Sequence, residues 1–237
     1  VSKFDSSGNY QYSRLVDGAT DDTGYSVTCD TSGNMYFTGQ YTATTPYIRY
    51  ASNSNVFSNV AILPPVVGGT YAAFVSKFDS SGNYQYSRIV DASSSDTGYG
   101  VTCDTSGNMY MSGTYGSTTP VIRYASNSNV FSNVATLPAS LGSSNSTAFL
   151  SKFDSSGTYQ YSRVIESLGD DKSLAVTCDS LNNVYIGGSY QGTPTIKAVT
   201  SSNVSTNIGT LPASTTTAAG SNFFTCKFDS NGNYAPV

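Results

Sequence analysis

No histidine and no tryptophan occur among the 237 residues, so any chemistry open to this chain falls to carboxylates, hydroxyls, phenols and four thiols. Without an imidazole no Ser-His-Asp set can form, and the commonest metal ligand is missing. The carboxylates outside ordinary turns recur in one loop: Asp17, Asp21 and Asp22, then Asp91 and Asp96, then Glu166, Asp170 and Asp171. Gathered on one rim, they could attract cations or basic partners. As turn formers in a solvated connection they would do neither, and both readings stand. Asp170 and Asp171 are adjacent and would point to opposite faces of an extended chain. A glycosidase pair would therefore need carboxylates from different units. No catalytic, metal or cofactor site is expected.

The remaining acids sit in D-x-S-G-N turns such as Asp79–Asn83 and Asp104–Asn108. Each Asp accepts a backbone N–H two residues on, and Gly supplies a positive φ. In Asp179-Ser180-Leu181-Asn182-Asn183 an Asn takes the Gly place, and Asn tolerates that conformation best after Gly. A calcium loop would want several carboxylates alternating along the turn, and each turn has one. Cys29, Cys103 and Cys178 occupy one repeat position, and a disulfide needs Cα atoms about 4.4–6.8 Å apart. Three equivalents cannot pair off, so free, buried thiols are expected, with a Cys178–Cys226 bond as the alternative.

These residues are positioned by a repeat. Lys3-Phe4-Asp5-Ser6-Ser7-Gly8-Asn9-Tyr10-Gln11-Tyr12-Ser13-Arg14 recurs letter for letter at 77–88, as KFDSSGTYQYSR at 152–163 and as KFDSNGNY at 227–234, a period of 74–75 residues. A fixed long period means one supersecondary unit stacked on its neighbours. The chain reads as a single array over 1–237, with a partial unit at 1–16 and repeats at about 17–90, 91–165 and 166–237. Both ends fall inside a unit, so a piece of a longer protein is expected. Each unit resolves into three hairpins: Ala72–Phe78 with Tyr84–Val90, Tyr99–Cys103 with Met109–Tyr115, and Val121–Ala125 with Val130–Ala135 around a Ser126–Asn129 turn. Aromatic and β-branched alternation supports strands throughout, and no helix is expected. All but Lys172 of the eleven basic residues fall in three registers: Lys3/77/152/227, Arg14/88/163 and Arg49/Arg123/Lys197. Recurring partners are implied, and the loop acids are the candidates.

Ala73-Phe74-Val75-Ser76-Lys77-Phe78-Asp79-Ser80-Ser81-Gly82, the loop Gly169-Asp170-Asp171, and Val101-Thr102-Cys103-Asp104-Thr105-Ser106-Gly107-Asn108-Met109-Tyr110-Met111-Ser112-Gly113 together resemble the SBBP repeat of seven-bladed β-propellers. The resemblance covers all but the third hairpin, which is similar to an enlarged insert between strands two and three. It implies four-stranded blades around an axis and no catalytic residue. Strands Val101–Cys103 and Met109–Tyr115 would be inner; Phe149–Phe153 and Tyr159–Val164 would be outer. The third hairpin would protrude or add to the sheet. Closure takes about four to eight blades, more than this chain supplies. The fold class expected is therefore an all-β, propeller-like array of antiparallel blades, with an open β repeat array as the alternative.

Only 11% of residues are charged, 38% are hydrophobic and the net charge is −4. No basic stripe exists for nucleic acid, and no apolar run approaches the roughly 20 residues of a spanning helix. Near-identical units with a neutral Ser/Thr/Asn surface suit a non-enzymatic structural or interaction module on a cell surface, appendage or virion. Its expected partners are other copies of itself or further repeats of a parent chain. The alternative is a lectin-like propeller, binding carbohydrate or another small ligand at one site per blade through some of its nineteen tyrosines.

Overall fold

The computed structural model describes residues 1–42, 46–51, 56–116, 120–126, 130–142, 145–200, 204–214 and 220–236; the expected turn tip at 127–129 lies outside them. Among these residues there is no helix, and all strand pairing is antiparallel. The strands form four sheets. Blade I is β1 (Ser2–Phe4), β2 (Tyr10–Asp17), β5 (Tyr47–Ala51) and β6 (Phe57–Ile62). Blade II is β3 (Thr23–Cys29), β4 (Met35–Tyr41), β7 (Ala72–Phe78), β8 (Tyr84–Asp91), β11 (Val121–Ser126) and β12 (Phe131–Thr136), in that spatial order. Blade III repeats this with β9 (Thr97–Cys103), β10 (Met109–Gly116), β13 (Ser146–Phe153), β14 (Tyr159–Glu166), β17 (Thr195–Thr200) and β18 (Ser205–Thr210). Blade IV contains β15 (Lys172–Cys178), β16 (Val184–Tyr190) and β19 (Asn222–Phe228).

The chain is thus an all-β, propeller-like repeat array. The four strands assigned as inner and outer pair in the expected order, β9-β10-β13-β14. The third hairpin adds to a sheet, but to the preceding blade. β11 and β12 lie in sequence between β10 and β13 of blade III, yet β11 pairs with β8 of blade II. β5 with β2, and β17 with β14, repeat the arrangement. At each hairpin base a leucine N–H closes onto a proline carbonyl, Leu63 to Pro46 O, Leu137 to Pro120 O and Leu211 to Pro194 O. Leu63 and Leu137 are buried, which pins the hairpin against the blade it has joined.

The cores lie between blades. Tyr36, Val75 and Val90 of blade II pack with Val101, Met111 and Phe149 of blade III, and a second cluster joins Tyr110 and Leu150 to Ile186 and Phe228. Burial follows from having a neighbour on each side. Val101, on the inner strand between two blades, is 5% exposed; its equivalent Val27 is 55% exposed. Phe78, Phe153 and Phe228 are fully buried, while Phe4 is 56% exposed.

Every turn that begins with Asp has the expected form. Asp N–H donates to the Asn carbonyl and Gly N–H to the Asp carbonyl, as in Asp79–Asn83 and Asp104–Asn108. Asn182 takes the glycine role at φ 63°. All four cysteines are free, but their expected burial holds only in part. Cys226 is buried, Cys103 and Cys178 are half-buried, and Cys29 is exposed, its inner strand being covered on one side only.

Candidate functional site

The in-register cations build the most elaborate recurring contact. On β2, Arg14 lies between the rings of Tyr12 and Tyr50, 4.1 and 3.9 Å from their centroids. Its Nε donates to Gly82 O at 2.6 Å, in the turn of the next blade. On β8, Arg88 lies between Tyr86 and Tyr124 at 4.1 and 3.9 Å, and its Nε reaches Gly157 O at 2.5 Å. Arg163 on β14 reaches Gly232 O at 2.5 Å with Tyr161 at 4.2 Å. Ala198 stands opposite Arg163, where the earlier units have tyrosine. Lysines complete each grip: Lys3 Nζ donates to Ser80 O, Lys77 to Ser155 O and Lys152 to Ser230 O.

The added hairpin takes part in the same latch. Tyr50 and Tyr124 come from β5 and β11, and each stands directly opposite the arginine it covers. The Tyr50 hydroxyl also accepts the Tyr84 N–H, and Tyr124 accepts that of Tyr159, tying hairpin to turn. A glycine is required where the latch closes. A Cβ on Gly157 would lie 2.5 Å from Arg88 Nη2 and 2.6 Å from Tyr86 Cζ, at φ +84°. Gly107 in the inner turn has φ +77° and meets only Ser155 Cβ at 3.5 Å. This explains why Asn replaces glycine in an inner turn, at Asn182.

The expectation that Lys77 and Arg88 meet loop acids is corrected. Lys77 lies opposite Tyr86, at the turn end of the β7–β8 pair, while Asp91 closes the other end. The acids instead take the third basic register, which the hairpin delivers. Asp17 pairs with Arg49, Asp91 with Arg123 at 2.9 Å, and Glu166 with Lys197. Asp91 and Glu166 are buried. Burial raises the Asp91 carboxyl above the ordinary range, against the opposing pull of Arg123.

Asp22, Asp96 and Asp171 form a second set, each bridging its own loop to the end of a neighbouring strand. Asp96 accepts Ala92 N–H at 2.6 Å and Gly116 N–H at 3.2 Å; Asp171 accepts Ser167 and Gln191 N–H at the same distances. Asp22 holds Gly18 and Thr42 in the same way. Desolvation lifts Asp96 to about 8 and Asp171 to about 7. Asp170 accepts the Ser146 N–H and hydroxyl, while Asp21 is exposed. The eight loop acids therefore lie at one end of the blades, most of them bonded within the fold. The turn carboxylates are equally engaged: Asp5 accepts Ser7 and Asn9 N–H and the Asn9 amide, which holds it below the ordinary range. Among the described residues no group of three His, Cys, Asp or Glu is placed to hold a metal ion.

No family model matches the sequence. The chain is similar to an uncharacterized WD repeat-containing protein of Acanthamoeba polyphaga mimivirus, 25% identical over 179 residues. The match covers 71% of this chain and 12% of that protein. Together with the antiparallel blades, this supports a β-propeller-type repeat at a coarser level than the SBBP resemblance.

Proposed function

We propose that the chain is a non-enzymatic interaction module whose working surface is the blade-to-blade latch, in a repeat of the SBBP type. One observation carries the reading. The same arginine-to-glycine contact forms at three successive junctions, on Gly82, Gly157 and Gly232, and a fourth copy of its receiving turn is ungripped among the described residues. Gly8 in the Asp5–Asn9 turn has no atom of a described residue within 4 Å of where a Cβ would stand. At the other end, Lys227 lies over Tyr185, as Lys77 lies over Tyr36, with an N–H-donating head that reaches no described turn. An array carrying both halves of its own interface suits a partner of the same kind, another copy or further repeats. The neutral polar surface fits a cell-surface, appendage or virion setting, and the viral source of the similar protein favours the last.

Sedimentation of the 237-residue chain over a wide concentration range tests this. Reversible association is expected, and Gly8→Asn, which keeps the turn's φ but fills the latch space, should abolish it without lowering the melting temperature. A monomer at every soluble concentration would refute the reading.

A further inference from the structure

Lys172 is the one cation outside the three registers, and it lies where the repeats have stopped being alike. It occupies the place of Thr23 and Thr97, while Asp170 stands where the other repeats have Asp21 and Ser95, and Ser146 where they have Tyr71 and Ser221. Lys172, Asp170 and Ser146 come together here on one open cleft of 340 Å³, lined also by Tyr99, Asn145 and Ser95. That volume is within the range of small-ligand sites, about 300–1,000 Å³. Replacing the tyrosine seen at 71 by Ser146 leaves room and a hydroxyl.

The lining defines a chemistry. Asp170 is fixed by two bonds to Oδ1, from Ser146 N at 2.9 Å and Ser146 Oγ at 3.1 Å, which leaves Oδ2 to accept. Asn145 donates its amide to Leu168 O, which leaves its oxygen. Lys172 makes no ion pair among the described residues and offers three donors. Tyr99 is half-buried and braced edge-on by Tyr25, 5.1 Å between centroids, so one aromatic surface is held in place. One carboxylate and one ammonium lining the same cleft favour no net charge on the ligand. Alternating donors and acceptors around a fixed ring are what a polyol needs, its vicinal hydroxyls shared between carboxylate and ammonium and its C–H face on the aromatic.

We propose that this cleft, at one junction of the array only, binds a single neutral pyranose residue, with Asp170 and Lys172 sharing adjacent hydroxyls and Tyr99 carrying the ring. The site is independent of the latch, because none of its residues takes part in it.

Saturation-transfer NMR and calorimetry with methyl glycosides of glucose, galactose and mannose, and with glucuronate as the anionic control, would test it on the whole chain. At least one neutral glycoside should bind with one site per chain and outcompete glucuronate. Lys172→Thr, Asp170→Ser and Tyr99→Leu each install the residue that another repeat carries, so the fold tolerates them. Each should weaken binding at least tenfold with the melting temperature unchanged. Preference for glucuronate, binding untouched by the three variants, three equivalent sites per chain, or no binding of any glycoside would each overturn the proposal.

Discussion

Removing Arg88 gives the most direct measure of what joins the blades. Arg88 is only 6% exposed. Arg88→Ala deletes the charged donor to Gly157 O at 2.5 Å and another to Ser87 O at 2.8 Å. Hydrogen bonds from charged groups contribute about 1.5–3 kcal/mol each. Contacts with Tyr86 and Tyr124 add about 0.5–2 kcal/mol apiece. Regained side-chain freedom offsets about 2 kcal/mol. The loss should be about 2–8 kcal/mol. Lys77→Ala removes a superficially similar bond, Nζ to Ser155 O at 2.8 Å, but an exposed one, and should cost about 0–1 kcal/mol. Urea unfolding followed by tyrosine fluorescence, unobscured because there is no tryptophan, gives both values. If Arg88→Ala costs under 1 kcal/mol, or no more than Lys77→Ala, the latch is not what holds the blades and the reasoning fails.

Gly107→Asn should cost under about 1 kcal/mol, since Asn182 already fills the equivalent place, whereas Gly157→Asn should cost more than about 2 kcal/mol by forcing Arg88 and Tyr86 aside; thermal melts of the pair check the contrast. Asp96 and Asp171 have folded values of about 8 and 7, above the unfolded carboxylate near 3.8. The folded state therefore holds their protons more tightly, and their contribution is complete below about pH 4 and lost as pH rises through 7–8. Urea midpoints should fall across that window, and Asp96→Asn should lower the midpoint overall while flattening the dependence. Ellman's reagent should find one fast thiol, Cys29, and three slow ones, since burial pushes Cys103, Cys178 and Cys226 up to about 12; four equal rates would contradict the packing.

The turns and blade strands were legible because their causes are local. Asp79 and Gly82 lie within four residues of one another, and period-two spacing puts Phe74 and Phe78 on one face. The hairpin's destination was not legible. A strand such as Val121–Ser126 carries the pattern that suits any sheet edge, and both the preceding and following blades offer one. The loop acids were visible as a set, but their partners depended on that destination, since Arg123 reaches Asp91 only once β11 lies on β8. The partners of Arg88 and Lys77 were hidden for a different reason: they are carbonyl oxygens, which every residue has and no letter marks. What could have pointed to them is Tyr86 two residues before Arg88, and Gly157 kept where the inner turn allows Asn.

Because blades I to III are finished with strands from the following unit, translation meets a standing delay. When β8 leaves the ribosome its outer edge has no partner until β11 is complete, 35 residues later (91 to 126), a wait of about 2–7 seconds at about 5–20 residues per second. During that interval an open strand edge is available to any nascent neighbour on the same message. The offset also governs inheritance. Deleting or duplicating a whole unit leaves every hairpin facing the sheet it was shaped for, while any other length change strands one hairpin and one edge. Arrays of this kind can therefore lengthen or shorten by unequal recombination only in steps of one period.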